Sequence, residues 1–216
     1  MLFRQLFDAE SSTYSYLLAD QELGLTLKYL LETHIHADHV TGVSELKAIF
    51  PQAKSVVSQQ GGADCADIFA KHGDLFSLGE LKIKALATPG HTNGCVSYYC
   101  QDRVFSGDTL LIRGCGRTDF QEGDAGTLYD SVTQQLFSLP DQTLVYPAHN
   151  YIGLSVSSIG EEKRFNSRLA GKSRAEFIAI MEQLTLPMPK KINEAVPANL
   201  KCGNPALELN QAAAEP

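Results

Sequence analysis

Thr33-His34-Ile35-His36-Ala37-Asp38-His39 sets three imidazoles and a carboxylate within six positions of a 216-residue chain. On a turn, four such groups cannot all point one way along a strand. Around a metal ion they can converge, since imidazole and carboxylate bind a zinc-sized ion at about 2.0–2.2 Å. A helix start capped by Asp38, with the histidines on the surface, accounts for this stretch alone but not for its company further along the chain. Pro89-Gly90-His91-Thr92 and Ser106-Gly107-Asp108-Thr109 add another imidazole and another carboxylate. Each is preceded by a glycine that lets the backbone turn sharply as the next side chain is aimed. His149 completes the set. The sixth histidine, His72, sits in a polar stretch and is expected on the surface.

Each histidine cluster follows a segment that reads as a strand, at Leu27 to Thr33, Leu81 to Thr88 and Thr143 to Tyr146. Strand ends feeding loops are where a rigid scaffold holds side chains for chemistry. Tyr14, Tyr16 and Leu18 alternate, as do Leu27, Tyr29 and Leu31, so both segments are predicted strands with one buried face. Val43 to Phe50 reads as a helix stopped by Pro51, Ser55 to Ser58 as a strand, and Cys95 to Cys100 with Arg103 to Ser106 as a hairpin. Leu128, Val132 and Leu136 recur every four residues behind an N-cap at Asp124, in a helix ending before Pro140. Ser173 and Glu176 are spaced as a capping box ahead of the apolar stripe Phe177, Ile180, Met181 and Leu184. Interspersed strands and helices give an α/β class of layered sheets covered by helices, in a single domain.

The 18 basic and 25 acidic side chains leave a net charge of −7, which excludes nucleic acid as the main partner. With 44% apolar residues, global disorder is excluded as well. The longest apolar run, Phe177 to Met181, is five residues, where a membrane span needs about 20, so no membrane partner is expected. Met1 to Glu10 has no signal-type apolar stretch, and the expected location is cytoplasmic, a bacterial cytosol or an organelle matrix. Cys65, Cys95, Cys100, Cys115 and Cys202 are odd in number and lack Cys-x-x-Cys spacing. They read mostly as buried thiols in a reducing compartment, rather than a disulfide framework or a thiolate zinc site.

His-x-His-x-Asp-His, Gly-His-Thr, Gly-Asp-Thr and Pro-Ala-His, in that order, resemble the metallo-β-lactamase superfamily. That resemblance implies an αβ/βα sandwich over residues 1–216, with the metal at one edge between the two sheets and a flexible tail at about 205–216. The flanks narrow it. Phe3-Arg4-Gln5-Leu6-Phe7-Asp8, Glu10-Ser11-Ser12-Thr13-Tyr14, the stretch Thr33 to Gly42, and Ile112-Arg113-Gly114-Cys115-Gly116-Arg117-Thr118-Asp119-Phe120-Gln121 are similar to persulfide dioxygenases. So are Tyr146-Pro147-Ala148-His149-Asn150-Tyr151 and Val196-Pro197-Ala198-Asn199-Leu200-Lys201-Cys202-Gly203.

This narrower resemblance implies a homodimeric non-haem dioxygenase that oxidises glutathione persulfide with O2 to sulfite and glutathione, in sulfide oxidation. The iron, one Fe(II) per chain, would be held by His34, His91 and Asp108. Two imidazoles and a carboxylate on one face leave open positions, the arrangement of non-haem oxygenases. His36, Asp38, His39 and His149 would be second-metal ligands in a hydrolase. In a dioxygenase they become hydrogen-bonding partners of ligands and waters, or a vestigial second site. Glutathione carries two carboxylates, and Arg117 offers a bidentate fork for one of them. The resemblance adds Thr92, Cys115, Tyr151 and Lys163 to the substrate pocket. A structural ion pair for Arg117, core packing for Cys115, and Arg164 serving in place of Lys163 stay open. The alternative is a binuclear type II glyoxalase-like hydrolase of glutathione thioesters, although Ile35 stands where those relatives usually carry a third histidine. A non-catalytic metal-binding module is the third reading.

One departure stands out. The family places another strand and a helix between the first strands and the metal loop, yet here only Gln21-Glu22-Leu23-Gly24 separates Asp20 from Leu25. Parallel neighbours need a crossover of about a dozen residues or more. Either an antiparallel hairpin forms here, or a strand and helix are missing near residues 20–25. Ser167 also stands where proline is usual.

Overall fold

The computed structural model describes residues 1–20 and 25–204. The four-residue connection 21–24 and the tail 205–216 lie outside the described residues. The chain runs β1 (Leu2–Asp8), β2 (Thr13–Ala19), β3 (Tyr29–Leu31), α1 (Val43–Ile49), β4 (Lys54–Ser58), β5 (Ile68–Ala70), β6 (Leu75–Leu78) and β7 (Leu81–Ala87). It continues with β8 (Val96–Cys100), β9 (Arg103–Gly107), α2 (Ala125–Ser131) extended by a π-helical turn (Val132–Leu136), β10 (Leu144–Pro147) and β11 (Ser157–Ser158). Helices α3 (Ile159–Phe165), α4 (Arg174–Glu182) and α5 (Ile192–Asn199) complete it.

Strand periodicity decides the main layer. In β7, Leu81, Ile83 and Ala85 are buried while Lys82 and Lys84 face water. It lies in a six-stranded sheet of order β11-β10-β9-β8-β7-β6, antiparallel except where β9 and β10 run parallel. Strands β3, β4 and β5 form a parallel sheet opposite it. Val56, Phe76, Ile83, Val96, Tyr98, Phe105 and Tyr146 fill the space between the layers, joined by Phe3, Tyr16 and Tyr29. On the far side of the six-stranded sheet, Leu128, Val132, Leu136, Ile159, Phe177 and Met181 pack on Leu86, Val104 and Val145. Behind the three-stranded sheet, Val43 meets Leu30 and Ala53, and Val196 and Leu200 meet Ile35 and Val57. This is the expected αβ/βα sandwich. Among the described residues no helix is long and apolar enough to cross a membrane.

The local signals form as read. The Asp124 side chain accepts from Thr127 N at 2.6 Å at the start of α2. Ser173 and Glu176 close a complete capping box on α4. The connection after Asp20 resolves against the hairpin. Strand β2 pairs with β1 alone and β3 with β4 alone among the described residues, so the first layer is split into a two-stranded and a three-stranded piece.

The cysteine reading is corrected for two of five. Cys95, Cys100 and Cys115 are buried thiols, but Cys65 and Cys202 form a disulfide across a separation of 137 residues. Spacing along the chain carries no information on such a pair, because the docking of α5 is what brings the two together.

Candidate metal centre

Three strand ends of the sandwich meet at one edge. His34 follows β3, where Val96 N donates to Thr33 O at 2.8 Å and straps the loop to the opposite sheet. His91 follows β7. The Thr109 hydroxyl donates to Thr88 O at 2.9 Å, tying the His91 loop to the turn after β9 that carries Asp108. Gly90 and Gly107 have φ of +131° and +56°. A Cβ at Gly90 would stand 2.3 Å from Leu128 N, and one at Gly107 2.8 Å from Thr33 Cβ. Both positions need glycine on torsion and on space. Parallel pairing of β9 with β10 sets His149 beside Asp108, and Ala148 N donates to Gly107 O at 3.0 Å.

The predicted ligands come together. His34 Nε2 and His91 Nε2 lie 4.0 and 3.6 Å from Asp108 Oδ2, too long for hydrogen bonds. Each ring is fixed from behind, His34 Nδ1 with Thr33 Oγ1 at 3.0 Å and His91 Nδ1 with Arg117 O at 2.7 Å. The Arg117 carbonyl can only accept, which leaves the lone pair of His91 on Nε2, and Thr33 Oγ1 can accept from His34 Nδ1 in the same way. With Asp108 the group is a donor set suited to one divalent ion. Burial, reinforced by the neighbouring His36, holds His34 well below the usual imidazole range, so its ring stays neutral and able to ligate.

The second group, His36, Asp38, His39 and His149, has a different character. His149 Nδ1 meets Asp108 Oδ1 at 2.7 Å, and its Nε2 meets Asp38 Oδ2 at 3.0 Å. Burial opposes charge on this ring, but the two carboxylates outweigh it and push His149 up to about 10. Burial alone would likewise raise the Asp108 and Asp38 carboxyls, yet their histidine partners hold both far below the usual range. His39 Nδ1 is also engaged, 3.2 Å from Asp38 Oδ2. His36 Nδ1 is buried and has no hydrogen-bond partner among the described residues.

The substrate candidates divide. The Tyr151 ring stacks on His149, with centroids 6.0 Å apart and planes 1° from parallel, on an exposed segment. Arg117 lies over Phe120, whose ring is 6.3 Å from that of His91. Its guanidinium grips Asp119 with two 2.6 Å bonds and donates to Pro187 O. Thr92 is buried, with its hydroxyl 3.2 Å from Cys95 Sγ. The Cys115 side chain lies in the core 3.8 Å from Met181 Sδ, and burial pushes its thiol up to about 11. Lys163 pairs with Asp141 at 2.6 Å on α3. His72 is exposed, as expected.

Two residues quoted above without a role also shape the site. Gln121 Nε2 donates to Ile35 O at 2.9 Å, and Asn150 Oδ1 accepts from Ile152 N and Leu154 N, shaping the segment that carries Tyr151. Their roles are to satisfy backbone groups, and no spacing rule reports that.

A sandwich with histidines and aspartates gathered at one edge defines a class of metal-dependent enzymes. Residues 5–149 match the metallo-β-lactamase superfamily, and the chain belongs to it. Within that superfamily it is an enzyme of the persulfide dioxygenase family. It is 45% identical to the mitochondrial persulfide dioxygenase ETHE1 of Mus musculus, over 94% of this chain and 89% of that protein. The crystal structure of ETHE1 from Myxococcus xanthus superposes with a TM-score of 0.91 at 52% identity, covering 94% of this chain and all of the other. Hydroxyacylglutathione hydrolase of Brucella ovis is more distant, 37% identical over 81% of this chain and 68% of its own length. The mouse alignment spans 228 positions, more than the 216 residues here, so that relative carries residues with no counterpart in this chain.

Proposed function

We propose that the chain oxidises glutathione persulfide with O2 to sulfite and glutathione at a single Fe(II) held by His34, His91 and Asp108. In the balanced reaction, persulfide, O2 and water give glutathione and sulfurous acid. The S–S bond breaks, four electrons pass to O2, and water supplies the third oxygen. The iron would supply a redox-active centre at which gas and sulfur meet, chemistry that zinc lacks. The protein fixes the orientation of the two reactants.

The observation that carries this reading is the inequality of the two histidine groups. His149 faces a carboxylate with each of its nitrogens, so both are engaged, whereas the Nε2 atoms of His34 and His91 lie beyond hydrogen-bond distance of Asp108. His149 orients Asp108. Arg117 would grip a glutathione carboxylate, sharing the fork now held by Asp119. Tyr151 and Thr92 complete the expected pocket, whereas of the other two candidates the Cys115 side chain points into the core toward Met181 and Lys163 is held by Asp141.

The decisive experiment is O2 consumption by anaerobically Fe(II)-loaded protein given glutathione persulfide, together with metal analysis. One iron per chain and sulfite production support the reading, whereas two zinc ions and thioester hydrolysis defeat it. The unpartnered His36 Nδ1 is the feature that favours this binuclear alternative. Arg117→Ala is expected to raise KM for glutathione persulfide roughly 10- to 100-fold, the loss of a charged hydrogen-bond pair, with a much smaller effect on kcat. An unchanged KM removes Arg117 from the pocket.

A further inference from the structure

The loop that carries His34, His36, Asp38 and His39 makes few backbone hydrogen bonds of its own. Between Thr33 and Gly42 its polar backbone groups are met largely by side chains from elsewhere. Helix α1, next along the chain, begins at Gly42 with no side-chain cap. Ile35 O takes its bond from Gln121. The rest converges on one residue, the last of α5.

Asn199 is 3% exposed. Its Oδ1 accepts from Thr41 N at 2.8 Å, and its Nδ2 donates to His36 O and His39 O, both at 2.8 Å. One carboxamide thus fixes three backbone groups on both sides of Asp38. No other neutral side chain of that length offers an acceptor and two donors in a plane, apart from its longer homologue glutamine. The helix beneath is itself held firmly. Val196 and Leu200 pack on Ile35 and Val57, Ser44 Oγ donates to Gly203 O at 2.8 Å, and Cys202 is tied to Cys65. Asn199 also lines the small cavity behind His34 and His36.

We propose that Asn199 is a positioning residue for the metal centre, holding the loop so that His34 presents Nε2 to the ion and Asp38 meets His149. The inference rests on the proposed metal site, though not on the identity of the substrate. It assigns a role to a residue 158 or more positions away from every loop group that it touches.

The test uses Co(II) titrated into the full chain freed of metal, read by its ligand-field spectrum and by competition with a chromophoric chelator. Asn199→Ala is expected to weaken Co(II) binding roughly 10- to 100-fold, the usual cost of losing a group that orients ligands, and to shift the spectrum. Asn199→Asp keeps the acceptor for Thr41 N but loses both donors, so it serves as the near-isosteric variant should the alanine protein fail to fold. It too is expected to weaken binding. Ser44→Ala removes a bond that docks the same C-terminal segment without touching the loop, and should lower stability while leaving affinity and spectrum unchanged. Wild-type affinity and spectrum in folded Asn199→Ala or Asn199→Asp protein would overturn the proposal. So would equal weakening in Ser44→Ala, which would make the effect one of general docking. A wild-type chain that takes up no Co(II), or Asp108→Ala that binds it as well as wild type, would instead overturn the site reading on which the inference stands.

Discussion

Asp108→Ala is expected to strip metal and oxygen uptake together, leaving metal content near background and no measurable sulfite production. Asp108 works in two directions. Oδ2 faces His34 and His91, while Oδ1 accepts from His149 at 2.7 Å. Alanine removes the anionic ligand and also one of the two carboxylates that justify a charged ring in a buried place. The loss in affinity should exceed the roughly 10- to 100-fold that follows removal of a group merely orienting a ligand. Asp108→Asn keeps the shape but turns a charged acceptor into a neutral amide, and should fail nearly as badly. Metal analysis of the purified variants checks both. Stoichiometric metal in Asp108→Ala would remove this residue from the ligand set.

The largest effect on stability should come from Glu162→Ala. Its side chain is fully buried on α3 and accepts from Arg113 N at 2.8 Å, Ser157 Oγ at 2.6 Å and Asn166 Nδ2 at 2.8 Å, besides pairing with the Arg113 guanidinium. Arg113 sits at φ +66°, a left-handed conformation that few side chains adopt, and the buried carboxylate holds it there. Alanine would strand the Arg113 backbone N–H and one N–H of Asn166, while the partly exposed Arg113 guanidinium and the Ser157 hydroxyl keep Glu161 as a partner. Each buried donor left without an acceptor costs about 1–3 kcal/mol, to which the loss of the buried ion pair and of packing adds. For a chain of this size, that is a fall in Tm on the order of 10 °C, measurable by calorimetry. The variant should also lose affinity for substrate, because the turn leads directly from Asp108 to Arg117. A shift under about 2 °C would mean that the turn holds itself.

The centre was legible because its chemistry is written in residue types at fixed offsets from strand ends, as with His34, His91 and Asp108. Capping also announced itself, at Asp124 and at Ser173 with Glu176. Other elements left weaker traces. Strand β1 is paired along its whole length with β2 but has one largely exposed face, so its residues never alternate cleanly. Strands β5 and β6, of three and four residues, are too short to show a period. Pro197 inside α5 reads as a stop, yet the helix continues past it to Asn199. The Cys65–Cys202 bridge and the three hydrogen bonds of Asn199 depend on where α5 docks, which is long-range information that a local pattern does not carry.

The divided first layer has a mechanical consequence. Without a ladder to β3, the β1–β2 ribbon clings to the molecule by its faces. Phe3 lies against Tyr146 and under Arg103, Tyr16 against Phe105, and the Tyr16 hydroxyl reaches Pro147 O. Two-stranded ribbons seldom stand alone in water. At its tip, Tyr14 N donates to Ala148 O and Asn150 N to Ser12 O, so the ribbon grips His149 from either side. Were the ribbon to lift away as a unit, the histidine steadying Asp108 would lose its backbone moorings on that side. A fraying event at the N-terminus would then be felt directly at the heart of the enzyme.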